Sequence, residues 1–139
     1  MRLIRLSDAF YDRYECCDEI LKKRSRPYAC LLVKIDNVTF AIPFRHHIAH
    51  DHSFITYDDC GLDYTKAVVL SDPSFVSDSV PQIEQREFNA LKGKGRLIAN
   101  GMRKYLALYK KALRYPDNYH YTKIRQFSSL QYFHEDLGL

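Results

Sequence analysis

The sequence has no run of about 18 apolar residues, the minimum for a membrane-spanning helix, so no spanning segment is expected. No secretory leader is expected either. Met1-Arg2-Leu3-Ile4-Arg5-Leu6 carries arginine inside its first apolar stretch, which is not a secretory-signal pattern. Cys16, Cys17, Cys30 and Cys60 form neither a CxxC pair nor zinc-ribbon spacing. Adjacent Cys16 and Cys17 make a poor staple, so reduced thiols in a cytoplasmic protein are expected, mostly as small core residues. Internal repeats and low-complexity tracts are missing. The remainder, 139 residues at 46% hydrophobic and 27% charged, fits one soluble domain over 1–139. A chain of this length buries roughly two-thirds of its unfolded surface, enough for one core.

Acid is also lacking where base is abundant. The formal net charge of +4 conceals a division. Residues 1–80 hold 10 Lys/Arg against 12 Asp/Glu, and residues 81–139 hold 11 against 5. Between Phe88 and Pro116 stand Lys92, Lys94, Arg96, Arg103, Lys104, Lys110, Lys111 and Arg114 with no acid among them. Such a stripe suits a polyanionic partner, and equally a solvated helix face.

The pattern reads as α+β. Ser7 or Asp8 can cap a helix along Phe10, Tyr14, Cys17 and Leu21, with Lys22, Lys23 and Arg24 in its last turn and Arg26-Pro27 ending it. Tyr28 to Ile35 and Val38 to Pro43 read as a hairpin around Asp36-Asn37. Phe54 to Tyr57 and Tyr64 to Leu70 read as two more strands, turned by Asp58-Asp59 and Gly61. Ser71 to Pro81 is a polar loop. From Gln82 to Arg114 the period is helical, along Phe88, Leu91, Ile98, Met102, Tyr105, Tyr109 and Leu113, with a break expected near Gly93-Gly95. Ser128-Ser129-Leu130-Gln131 is a capping-box pattern that opens a short final helix.

Chemistry concentrates in residues 43–54, which follow a predicted strand and hold four of the six histidines. A proline-led loop at the end of a sheet is a usual place for a site, and histidine exchanges protons near neutral pH. Three readings stand open. His46 and His50, one helical turn apart, could ligate zinc with Asp51, His52, and His120 or His134, although no HExxH pattern is present. The same histidines could cleave RNA without metal, with Arg45 or Lys66 holding the phosphate. Or they are surface histidines, with His47 bonded in the core. Strand alternation sets Lys66 opposite Ala67 and Val69, and favours an outward lysine over a cation in the groove of Arg45. Tyrosines accompany the basic stripe. Tyr119 and Tyr121, beside His120, suit stacking on unpaired bases, whereas the spacing of Tyr105 and Tyr109 suits core packing.

Several ordered segments resemble a known family. They are Arg26 to Val33 (RPYACLLV), Ala41 to His50 (AIPFRHHIAH) with Phe54 following, and Gly61 to Leu70 (GLDYTKAVVL), joined by Phe127 to His134 (FSSLQYFH). Together these resemble the toxins of type III toxin–antitoxin systems, in particular the TenpN branch of the ToxN/AbiQ group. The resemblance implies a twisted antiparallel β-sheet with surrounding helices, related to the MazF/Kid toxins. It implies a metal-independent, cofactor-free endoribonuclease that leaves 2′,3′-cyclic phosphate ends and acts in growth inhibition or phage abortive infection. The implied partners are cellular RNA substrates and a repeated structured RNA antitoxin, bound in an oligomeric toxin–RNA assembly.

On this sequence the family's proline-initiated site loop falls on Pro43 to His50. Arg45 and His50 match it, Lys66 matches the lysine of a Gly-Leu-x-x-x-Lys strand, and His46 departs from a position that commonly holds serine. The expectation is that Arg45 and Lys66 bind the scissile phosphate, while His46, His47 and His50 supply the acid–base pair, with Ser53 added to the set. Lys92, Lys94, Arg96, Arg103 and Lys104 are expected to grip the RNA backbone, with Tyr28, Tyr119 and Tyr121 as further RNA contacts. The alternatives are a non-catalytic RNA-binding module and a zinc-dependent hydrolase.

Overall fold

Asp36 and Asn37 both take positive φ, 49° and 69°. They close the two-residue turn that suits the right-handed twist of a hairpin. It joins β2 (Ala29–Ile35) to β3 (Val38–Arg45), the hairpin expected from sequence, with Ile35 opposite Val38 and Cys30 opposite Pro43. The computed structural model describes residues 2–23 and 28–139; Arg24 and the Arg26-Pro27 stop lie outside them.

The N-terminal residues Arg2–Arg5 form β1, an unforeseen strand antiparallel to β2. On the other edge of β3, two strands share the length. β5 (Cys60–Asp63) pairs with Phe44 and Arg45, and β6 (Val68–Val69) pairs with Phe40 and Ala41. β4 (Ser53–Tyr57) completes an antiparallel six-stranded sheet by pairing with β5. The fold class is therefore α+β.

Tyr64 to Leu70 is not the continuous strand that its apolar run predicts. The Asp63 side chain accepts from the Thr65 amide at 2.9 Å and turns Tyr64–Lys66 into a 3-10 helix. Such local side-chain bonding competes with strand pairing. The first helix is likewise shorter than predicted. α1 spans Asp8–Arg13, capped by Ser7, and Tyr14 ends it. Cys17 and Ile20 then bond three residues back, to the Tyr14 and Cys17 carbonyls, and this tighter path buries Ile20.

The long helical period divides close to its glycines. α2 (Gln85–Leu91) and α3 (Gly95–Arg114) flank a turn in which Gly93 takes φ +69°. Leu91, Ile98, Met102, Tyr105 and Tyr109 of the expected stripe are buried, while Phe88 stays exposed. α4 (Thr122–Phe127) follows, and the C-terminal capping pattern opens a 3-10 turn, with Ser128 accepting from the Leu130 amide. Among the described residues no helix is long and apolar enough to cross a membrane.

One close approach sets α3 against the sheet. Tyr64 donates to the Ile98 carbonyl at 2.9 Å, directly beside Gly101. A Cβ on Gly101 would lie 2.7 Å from Tyr64 Cζ. Gly101→Ala gains about 1 kcal/mol of helix propensity but overpacks a buried ring, at a cost of about 1–3 kcal/mol. A net loss of stability is expected in urea denaturation; an alanine variant as stable as wild type would show that Tyr64 yields freely.

Candidate functional site

Asp63 ends β5 with 0% of its side chain exposed. Buried carboxylates need donors, and this one has three, with an imidazole close by. Oδ2 accepts from Arg45 Nη1 at 2.8 Å. Oδ1 accepts from the Thr65 amide at 2.9 Å and from Thr65 Oγ1 at 2.6 Å, and His50 Nε2 stands 3.3 Å away. Arg45 ends β3, two strand positions past Pro43, and its side chain keeps 32% exposure. Asp63 thus fixes the direction of a guanidinium whose remaining donors face solvent.

The loop between β3 and β4 is held at both ends. The Ile48 amide donates to the Asp59 carbonyl at 2.9 Å, and the His52 carbonyl accepts from the Tyr64 amide at 3.1 Å. Within it, the His52 amide donates to His50 Nδ1 at 3.1 Å, which leaves Nε2 of His50 to carry the proton, 3.3 Å from the Asp63 carboxylate. One His50 nitrogen is hydrogen-bonded, and the other faces the Asp63 carboxylate. The His52 ring stacks near His50, with centroids 5.9 Å apart, and tilts against Tyr105 at 5.7 Å. It makes no hydrogen bond to the described residues.

These groups border a cleft of about 420 Å³ between the sheet end and helices α3 and α4. Arg45, Lys66 and Lys123 line it and, among the described residues, no carboxylate does. Lys66 lies at the end of the 3-10 turn and donates to the Phe127 carbonyl at 3.0 Å. Burial lowers its pKa from the usual value, Asp63 opposes that shift, and Arg45 adds to it. The His52 pKa is also lowered, first by burial and next by His50, against the pull of Asp51 and Asp63. A neutral imidazole therefore stands beside three cations. Phe127, 58% exposed, gives the rim an aromatic face.

No match to a known protein accompanies this site: no family model, no curated protein and no solved structure is similar to the chain.

Of the residues expected to act together, the cleft gathers Arg45, His50 and Lys66. Lys66 points into it, not away, because the 3-10 turn cancels the strand alternation behind the outward reading. His46 and His47 lie apart. His47 takes φ 59° and pairs with Asp59 at 3.2 Å, its side chain 91% exposed. His46 Nδ1 lies 3.1 Å from Cys60 Sγ. Ser53 donates to the His50 carbonyl at 3.4 Å and lines a second groove, to which Lys104 also contributes. Neither cavity is lined by Lys92, Lys94, Arg96 or Arg103. Tyr28 borders a small recess behind Lys66. Tyr119, 82% exposed, and Tyr121 occupy the 3-10 turn before α4. Among the described residues no cluster of three His, Cys, Asp or Glu side chains could hold a metal ion.

Sequence reasoning passes over Asp63, Thr65, Lys123 and Phe127 as site residues, and it reads His52 as a zinc ligand or surface histidine, Tyr105 as core packing and Ser128 as a helix cap; all of them stand at this site. Two signals were present. Asp63 is an acid closing an otherwise uncharged strand, and Lys123 and Phe127 are four apart, so they share a helix face.

Proposed function

We propose that the cleft binds a single-stranded RNA phosphodiester and cleaves it without metal, as the endoribonuclease toxin of a type III toxin–antitoxin system. The observation that carries this reading is the unpartnered, downshifted His52 beside Arg45, Lys66 and Lys123. His52 takes the proton of the ribose 2′-hydroxyl. The 2′ oxygen bonds to phosphorus, and the P–O5′ bond breaks. Lys66, an ammonium made more acidic by burial, returns a proton to the 5′ oxygen. Arg45, aimed by Asp63, and Lys123 stabilise charge developing on the phosphoryl oxygens. The product is a 2′,3′-cyclic phosphate, and no cofactor takes part.

The acid-free basic stripe on α3 and the sequence resemblance support the toxin reading, with a twisted ToxN-like sheet as its fold and a repeated RNA as its antitoxin. The site is reassigned relative to the residue pattern: His52 as proton acceptor and Lys66 as proton donor stand in place of the acid–base pair expected from His46, His47 and His50.

The direct test incubates purified protein with total cellular RNA in EDTA and maps the new ends. Cyclic phosphate ends are expected, with wild-type expression arresting growth. RNA left intact, or cleavage that persists when every 2′-hydroxyl is replaced by hydrogen, overturns the reading. Cleavage lost in EDTA and restored by zinc would favour a hydrolase of the other class.

A further inference from the structure

His52 and Tyr105 line two cavities, one on each side of the wall that they form. The second is a groove of about 440 Å³. Leu97 and Leu108 of α3 and Phe54 of β4 give it apolar surface, with Gly101 and Tyr64 also among its lining. Leu97 is 57% exposed, a large apolar side chain with solvent over it. Lys104 and Asp51 are its charged members. At roughly 100° per residue along a helix, Arg96, Arg103, Lys110 and Arg114 fall on another face of α3. Lys104 is turned from that stripe towards the groove.

We infer that this groove holds the unpaired base of the nucleotide on the 5′ side of the scissile phosphate, a subsite that rests on the cleavage reading above. The chemistry fixes the neighbour. The attacking 2′-hydroxyl must come within hydrogen-bond reach of His52, roughly 3 Å. C1′, which bears the base, is bonded to C2′, so that base lies within one ribose of His52. The cationic cleft receives the phosphate on one side of the wall, and the base enters the cavity on the other. An apolar surface takes the face of every base, with a preference set by how strongly each base stacks. Lys104 meets the phosphate preceding that nucleotide. Leu97 therefore contributes base preference, and Arg103 contributes only general attraction to the backbone.

The test uses an RNA library of randomised sequence, with cleaved ends read by sequencing, and a short 2′-fluoro RNA of randomised sequence for binding by fluorescence anisotropy. Leu97→Ala, at an exposed position, is expected to lower kcat/KM roughly tenfold, the scale of one lost stacking contact. It should also flatten the base bias at the nucleotide bearing the 2′-hydroxyl, and leave the bias at the following nucleotide intact. Lys104→Ala should weaken binding of the 2′-fluoro RNA. Arg103→Ala should weaken binding slightly and uniformly, with the bias unchanged. Wild-type cleavage with an unaltered bias in Leu97→Ala overturns the groove and leaves the cleft reading standing. Binding weakened in Leu97→Ala and Lys104→Ala without any cleavage by wild type keeps the groove as an RNA site and overturns the nuclease. Binding equal in all variants, or absent from wild type, removes the groove.

Discussion

His52→Ala is expected to lower kcat/KM for RNA cleavage by roughly 10² to 10⁴-fold, the range for losing a positioned general base. The fold should persist. His52 is partly exposed, and its ring contributes only contacts with His50 and Tyr105. Added imidazole should restore part of the rate to the alanine variant, which a structural role would not allow. The pH profile carries a second signature. Protonated His52 cannot accept the 2′-hydroxyl proton, so the rate falls as pH drops through its pKa. Burial disfavours the imidazolium, so the acid limb should lie below the ordinary histidine value of 6.5. Wild type therefore keeps more than half of its maximal acid-limb rate at pH 6.5. His50 adds to the lowering, so His50→Ala should move the limb upward. An acid limb at or above 6.5 in wild type, or an alanine variant within about threefold of it, would remove His52 from the chemistry.

How much of this was legible beforehand depends on the range of the interaction. The Asp36-Asn37 turn and the Gly93 break follow from local backbone preferences, and both occur where the sequence puts them. Arg45 was expected in a loop led by Pro43, but β3 continues through Pro43, which pairs with Cys30, and carries Arg45 at its end. Lys66 was not legible, because its direction depends on the Asp63 carboxylate capping the next turn, a side-chain bond that period-two alternation does not register. The histidine run misled in a related way. Its members are adjacent in sequence, but the left-handed backbone at His47 and the bond between the Ile48 amide and the Asp59 carbonyl send His46 and His47 away from His50 and His52. The far wall lies beyond local reach altogether. Tyr105, Lys123 and Phe127 meet Arg45 only once α3 and α4 close over the sheet end, a consequence of packing that no local window contains.

Asp63→Asn should be the most damaging near-isosteric change in the molecule. The amide keeps the volume and can still accept at one oxygen from both Thr65 donors. Its nitrogen must then face Arg45 Nη1, now 2.8 Å from Oδ2, and two donors meet in a site with no exposure. Breaking a buried ion pair from one side costs about 3–5 kcal/mol. A domain of ordinary stability, about 5–15 kcal/mol, would survive that, so the variant remains assayable at low temperature. With the guanidinium no longer aimed, kcat should fall by at least tenfold, and KM should change less. Asp63 acts here as a positioning residue, because it reaches the substrate only through Arg45 and His50. A double-mutant cycle separates this from plain destabilisation. Arg45→Ala removes the opposing donor, so Arg45→Ala/Asp63→Asn should be no less stable than Asp63→Asn alone, with a coupling of about 1 kcal/mol or more. The second substitution should also cost little further activity. Additive losses in stability and rate would mean that Asp63 and Arg45 work independently, and the cleft would lose its organising contact.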